Sequence, residues 1–383
     1  MRWINDMNLA LHARLQLEEH DKLPPPFKNY TIDSGRVTFR VRGEFEVDLS
    51  ISEEDFSEQF WFINFRFDFS PAPAELTPAV RYWMTEKVNN ILKTEGLGGC
   101  YKYLHEFTLT QKIAELHRQA IALNKGRWAN SLRVEKLNRN LGIHYWANRL
   151  HSQNLKSWII IGVHSGEDPQ GLEEPKPSYL MVQWFREGVE QFIDIPFSQE
   201  KLSVEEILEF VTAKHVGYLL FSLFRKFDGK PRFTQGKKAR LELNVWTQKP
   251  EDYYLSMQLL DDEDLKIQVN PWMGDFITTP STGPWNRTLN SLGNPAEEGS
   301  KELENFRYIY IISVLKAQGK SHGWSVVRSP ISQDELRSIV HSESASSRET
   351  FQAAWTRFVD WDPQWYAMRS MSLAGDQWWL VEV

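Results

Sequence analysis

Between Val37 and Ile51 the hydrophobic pattern has a period of two. Val37, Phe39, Val41, Phe45, Val47, Leu49 and Ile51 are apolar and odd-numbered, whereas Thr38, Arg40, Arg42, Glu44, Glu46 and Asp48 are polar and even-numbered. A helix spreads such a pattern around its axis; a strand with one buried and one wet face collects it onto one side. The parity also sets a register, since odd positions face odd positions only across a loop with an odd number of residues, such as Arg42-Gly43-Glu44. Arg40 then stands opposite Glu46, a cross-strand pair of roughly 0.2–1 kcal/mol. Trp61, Ile63, Phe65, Phe67 and Phe69 continue the odd-numbered apolar face into a third strand, closed by Pro71 and Pro73.

Helical patterns flank this meander. Residues Trp3 to Glu19 carry apolar positions at helical spacing, and Pro24, Pro25 and Pro26 stop them. Thr77-Pro78 is a helix start, with Thr as N-cap and Pro at the first helical position. That helix is expected to run to Thr94 and end at Gly96, and a second to run from about Tyr101 to Asn124. Residues 1–150 therefore read as helix, three-strand meander, then helices.

The plan recurs. Trp158 to Val163, Tyr179 to Phe185 and Gln191 to Ile195 read as strands, and Ser203 with Glu206 forms a capping box opening a long apolar helix to about Phe227. Strands return at Arg240 to Trp246, Tyr253 to Leu260 and Leu265 to Val269, followed by a helix from Glu297 to Gln318. Ser332 with Glu335 and Ser346 with Glu349 are further capping boxes. The chain closes with a hairpin, Trp365 to Leu373 and Gln377 to Val383, whose Trp378, Trp379, Leu380 and Val381 look core-like. The expected class is α+β: reiterated antiparallel sheets, each packed by helices, in an elongated chain of several domains. The division expected is 1–150, 151–235 and 236–383, with the core-like ending suggesting a piece of a longer protein.

Composition narrows the function. The 383 residues suit two or three domains. A net charge of −7 argues against wholesale binding to nucleic acid or anionic membranes through bulk charge. One cysteine excludes an internal disulfide framework or a Cys-based metal centre. The longest apolar run, Val216 to Phe224, falls short of the ~18 residues of a membrane-spanning helix. Aromatic residues make up 13% of the chain, with 16 Trp, and rings of this size dominate both cores and interfaces.

Motifs for catalysis are sparse. Cys100 and His105 are the one thiol–imidazole neighbourhood, and a thiol-dependent enzyme there requires a lowered thiol pKa beside a free base. Gly-Leu-Gly-Gly at 96–99 lacks the Lys-Ser/Thr of a phosphate loop, and no His has a neighbour at metal-ligand spacing. Two basic segments oppose the acidic total: Gln111 to Arg149 and Arg225 to Arg240 each carry a net +6, while Glu44 to Glu58 carries −7. The first, through Arg118, Arg127, Arg133 and Arg139, is a candidate for sparse nucleic-acid contact, although no recognised module surrounds it. Patches of opposite sign also serve to orient protein partners. Trp128, Trp146, Trp272 and Trp285, at element ends or in loops, are candidate partner contacts. No cofactor is expected.

Family-specific blocks add to this reading. GRVTFRVRGEFEVDLSI (Gly35 to Ile51), FWFINFRFDFSPA (Phe60 to Ala72) and KVNNILKTEGLGGCYKYLHEFTLTQKIAELHRQAIALNKGRW (Lys87 to Trp128) resemble the fungal Mediator subunit 14 family, as do RETFQAAWTRFVDW (Arg348 to Trp361) and GDQWWLVEV (Gly375 to Val383). The resemblance implies a central fragment of a nuclear, non-catalytic scaffold built from repeated sheet-and-helix motifs. Its implied partners are Mediator subunits of the head, middle and tail modules and, indirectly, RNA polymerase II. It implies no membrane, small-molecule substrate or cofactor, and carries over no catalytic residue.

Overall fold

In the computed structural model the chain divides into two compact units, residues 1–147 with 156–210 and residues 148–155 with 211–383. The structure describes residues 2–53, 55, 58–148, 156–166, 176–228, 241–247, 249–260, 263–279, 283–291, 295–332, 334–336, 352–372 and 375–383.

The first unit begins with α1 (Arg2–Leu17) and the strands β1 (Tyr30–Asp33), β2 (Arg36–Val41), β3 (Phe45–Ser50) and β4 (Trp61–Phe67). These four form an antiparallel sheet in sequential order. The parity register is present, with Val41 opposite Phe45 and Arg40 opposite Glu46 across the Arg42–Glu44 loop. One face carries Val37, Phe39, Phe45, Val47 and Leu49 into a core completed by Leu11 and Leu15 of α1. Rings fill it: Phe27 stacks on Phe39 at 4.5 Å and Phe45 on Phe65 at 5.5 Å. The other face is a ladder of charge. Asp48, almost fully buried, accepts hydrogen bonds from Thr38 and from both terminal nitrogens of Arg66, and Arg40 reaches Asp68 at 2.9 Å.

The third strand departs from the expected parity. A bulge at Asp48/Leu49 sets Asn64 opposite Asp48 but Phe62 opposite Leu49, leaving Ile63 as the extra residue. Phe65 and Phe69 are buried as expected, but Phe62 takes the inward position assigned to Trp61 and Ile63, which are 40% and 45% exposed.

Helix α2 (Pro78–Lys125) is two helical stretches joined at Gly96, as expected, the second starting directly after that residue. The break signalled by Gly96 is a kink, with φ 66° and ψ −155° there. Ahead of it Met84, Val88 and Leu92 pack on the first sheet; beyond it Leu109, Ile113, Leu116 and Ala120 are buried, and the helix touches the second sheet. That sheet comprises β5 (Leu132–Leu137), β6 (Asn140–Tyr145), β7 (Ser157–Gly166), β8 (Lys176–Arg186) and β9 (Val189–Gln191), in order. The sequence pattern assigned no strand at 132–145. In the structure Leu132 and Val134 alternate toward Tyr145 and Ile143 across a two-residue turn at Asn138-Arg139, where Asn138 has φ 51°. The sheet spans residue 150, so the boundary expected there falls inside it. Of the expected strand at Gln191 to Ile195, only Gln191 is paired.

The division between units falls within α3 (Val204–Asp228), opened by Ser203, whose Oγ accepts the Glu206 N–H at 3.1 Å. By length and composition α3 is apolar enough to cross a membrane. Its buried residues, among them Val204, Ile207, Leu208, Val211, His215, Leu219 and Leu223, follow one helical stripe, as in a core helix. The boundary expected at 235 lies outside the described residues.

The second unit continues with the sheet β10 (Leu241–Asn244), β11 (Tyr254–Leu260), β12 (Glu263–Val269) and β13 (Phe276–Thr279), then α4 (Gly283–Ser291), α5 (Pro295–His322) and a last sheet, β14 (Trp324–Val327), β15 (Gln352–Phe358), β16 (Trp365–Ser372) and β17 (Gly375–Glu382). Strands β13 and β14 and helix α4 were not anticipated. The Ser332–Glu335 capping box is formed in both directions, at 2.9 and 3.3 Å. Ser346–Glu349 lies outside the described residues, and the chain at Gln352 is already a strand. In β17 only Val381 of the four core-like residues is buried; Trp378 and Leu380 point outward because the strand alternates.

All four sheets are antiparallel meanders packed by helices, the α+β plan read from the sequence. Replacing Gly96 by Ala tests the kink. No heavy atom would crowd the new Cβ, so the cost is backbone strain alone, about 1–3 kcal/mol as read by chemical denaturation.

Candidate interaction surfaces and the seam behind them

Three polar residues of α2 lie seven apart, His105, Lys112 and Gln119, and each holds a different part of the chain returning from the second sheet. His105 Nε2 bonds the Ser178 carbonyl at 2.8 Å, and its Nδ1 lies 2.7 Å from Glu44 Oε2. Lys112 Nζ donates to Gln199 Oε1 at 3.1 Å. Gln119 donates to the Leu202 carbonyl and accepts the Val204 N–H, as a strand would. Between these points Ser70 exchanges backbone bonds with Glu200 and Leu202, both 2.7 Å. The seam thus joins the β2–β3 loop, α2, β8 and the segment entering α3.

The chemistry of His105 follows from its partners. A carbonyl oxygen only accepts, so Nε2 carries a proton; the Glu44 carboxylate favours a second at Nδ1. Burial alone lowers the His105 pKa, but the Glu44 hydrogen bond and charge, the Ser178 carbonyl and Glu106 outweigh it and raise the pKa. For Glu106 burial would raise the pKa; hydrogen bonds from Ser178 and Arg139 bring it below the ordinary range. Lys112 is fully buried, and desolvation lowers it to about 8 despite Glu44.

This arrangement overturns the thiol-enzyme alternative. Cys100 is inside the core and burial pushes its pKa up to about 12, so it is a thiol at neutral pH. Both nitrogens of His105 are engaged elsewhere. The nucleic-acid alternative also loses its cations: Arg118 pairs with Glu115, Arg127 with Glu205 and Glu209, Arg133 with Glu135, and Arg139 with Glu106. The first three acids of the acidic segment are likewise engaged, Glu44 on His105, and Glu46 and Asp48 on Arg66. The second basic segment, 225–240, lies mostly outside the described residues.

The four tryptophans separate into two pairs. Trp128 and Trp146 are interior, at 0% and 1% exposure, and present no ring to a partner. Trp128 fills the turn from α2 to β5, and Trp146 packs edge-on against Tyr145 at 5.2 Å. Trp272 and Trp285 are half-buried, the latter against Phe306 at 4.4 Å. Six of the eight candidate residues belong to the first unit and two, Trp272 and Trp285, to the second. Among the exposed rings are Trp61, Tyr82, Trp83, Phe192, Trp246 and Trp378. Periodicity pointed Trp61 inward and the closing hairpin made Trp378 look core-like, whereas the other four fall where no pattern distinguishes a surface ring from a core ring.

Comparison with known proteins agrees with the resemblance noted in the sequence. Two family models match, one described as Mediator complex subunit MED14 over residues 1–53 and one as Fungal Med14 domain over residues 223–315. The chain is 47% identical over 393 residues to Mediator of RNA polymerase II transcription subunit 14 of Neurospora crassa, with all of the chain and 31% of the relative covered. Against the proteins of the same name from Chaetomium globosum and Pyricularia oryzae the identities are 45% and 42%, again over the whole chain and over 33% and 35% of the relatives. The chain belongs to the Mediator subunit 14 family. It spans about a third of the length of these curated relatives. Within the family segment, the thiol and imidazole thus serve packing and the seam.

The seam has a pH signature. Stability from the His105–Glu44 pair is fully present below the ordinary imidazole value near 6.5 and is lost as pH rises through the raised folded value. His105→Gln removes that slope in denaturation midpoints measured from pH 5 to 9. Lys112 acts with the opposite sign: the unfolded chain binds its proton more tightly, so stability rises between about pH 8 and the ordinary 10.5. Lys112→Met abolishes this alkaline rise and raises the midpoint at pH 7.

Proposed function

We propose that the chain is an architectural, non-catalytic segment of the nuclear Mediator coactivator, binding other Mediator subunits and supporting RNA polymerase II transcription indirectly. The observation that carries this reading is the identity to subunit 14 proteins along the whole chain, from the first sheet-and-helix unit to the last hairpin. The physical character agrees with it. Buried polar groups are spent on joining sheets to helices, while large rings remain at the surface, where aromatic side chains serve as anchors. Contacts to the head, middle and tail modules belong to this proposal, as do Trp272 and Trp285 as ring contacts.

The test is recovery of the tagged chain from a fungal nuclear extract at moderate salt. Mediator subunits are expected to accompany it, and a folded chain recovered alone would sink the reading. Trp272→Ala and Trp285→Ala are expected to reduce that recovery with little change in melting temperature. Trp128→Ala, by contrast, lowers stability by about 3–5 kcal/mol through loss of a filled core position.

A further inference from the structure

The two sheets of the first unit turn different outer faces away from their cores. That of β1–β4 is closed by ion pairs around Asp48, Arg66 and Arg40, as a water-facing sheet should be. On β5–β9 one row crosses all five strands as Arg133, His144, Trp158, Phe185 and Glu190. Its centre is aromatic: Trp158 stacks on Phe185 at 5.1 Å, with His144 tilted against Trp158 at 5.8 Å, and all three rings stay half-exposed. Half-wet rings on an open sheet face are surface that another chain can desolvate.

The β9 end of this row continues the surface and gives it a sign. Phe192, two residues beyond Glu190, is 90% exposed. Within residues 187–194 stand Glu187, Glu190 and Asp194 and no basic residue. Among the described residues none of these three carboxylates makes an ion pair, although the arginines of the same unit discussed above are paired; Glu190 accepts only a hydrogen bond from Gln183 at 2.9 Å. Edge augmentation is not the mode here, because the Gln191 side chain donates to the Val189 and Glu190 carbonyls. Recognition falls to the side chains, an aromatic knob set among carboxylates that make no ion pair.

We propose that the outer face of the β5–β9 sheet, with Phe192 at its edge, is a docking surface for a protein segment bearing an apolar stripe flanked by Lys or Arg. The apolar stripe covers the Trp158–Phe185 pair and Phe192, and the flanking cations meet Glu187, Glu190 and Asp194. Charge of this kind orients the partner and speeds encounter, while the rings supply the buried area. The proposal deepens the scaffold reading and rests on it for the identity of the partner.

The test uses Mediator purified from a fungus whose subunit 14 carries a photo-reactive phenylalanine analogue in place of Phe192. The expected product is a cross-link to a peptide of another subunit with net positive charge, reduced at least tenfold by Glu187→Lys, Glu190→Lys and Asp194→Lys together. Normal assembly with no cross-link, or a cross-link to an acidic peptide, overturns the docking surface and leaves the scaffold reading standing. Failure of the unmodified chain to enter Mediator defeats the scaffold reading instead, and a second arm then decides the surface. In it the chain is titrated with two synthetic helical peptides sharing one apolar stripe, one flanked by Lys and one by Glu. The Lys-flanked peptide is expected to bind at least tenfold tighter, with the preference lost in the triple Lys variant and weakened by salt. Equal binding of the two peptides overturns the proposal.

Discussion

Burying a polar side chain costs less the more of its hydrogen-bonding groups find partners, and the first unit is organised around two such burials on α2, His105 and Lys112, with the half-buried Gln119 in line with them. His105, Lys112 and Gln119 share a face because seven residues make nearly two helical turns. Each then demands a partner that the helix cannot supply. Those partners are Ser178 on β8, Gln199 and Leu202 in the segment that follows the sheet, and Val204 at the start of α3. Apolar contacts alone tolerate sliding of a helix over a sheet. Directional bonds at three points do not, so these side chains fix where β8 and the segment entering α3 sit on the helix.

A related use of polar side chains protects sheet edges. The N–H of Phe62 on the edge strand β4 donates to Asn89 of α2, and on β13 the N–H groups of Phe276 and Thr278 donate to Asn290 and Asn286 of α4. The Ser178 carbonyl on β8 is held by His105. In each case a side chain from a packed helix occupies a backbone group that would otherwise be open to a foreign strand. A chain of repeated meanders has many such edges, and covering them directs association toward side-chain surfaces such as the one around Phe192.

Charge shows most plainly where linear reading runs out. The segment from Gln111 to Arg149 is less basic in space than it is when counted along the chain. Arg127 meets Glu205 and Glu209, and Arg139 meets Glu106, so the compensating acids lie tens of residues away in sequence. The same limit hid the unpaired acids beside Phe192, which look ordinary in sequence because pairing is a property of space. The hairpin at 132–145 was missed for a different reason. Its alternation at Leu132, Val134, Leu141, Ile143 and Tyr145 was present, but the charges between these positions made the segment read as basic rather than as half-buried strands.

Parity of apolar residues was enough to specify the β2–β3 pairing, because a slip by one residue would turn Val37, Phe39 and Val47 to water. Helix ends at Thr77-Pro78 and Gly96, and the capping boxes at Ser203 and Ser332, were equally legible, since backbone sterics and local hydrogen bonds act within a few residues. The family was legible as well, in blocks of sequence long enough to be specific. Tertiary structure alone decided that a bulge at Asp48/Leu49 exchanges Phe62 for Trp61 and Ile63, that Trp128 and Trp146 are interior, and that His105 serves Glu44 and Ser178 rather than Cys100. Each of these depends on what a side chain meets after the chain has folded back on itself. Burial and pairing energies are set by those neighbours, and neighbours distant in sequence are invisible to any local pattern.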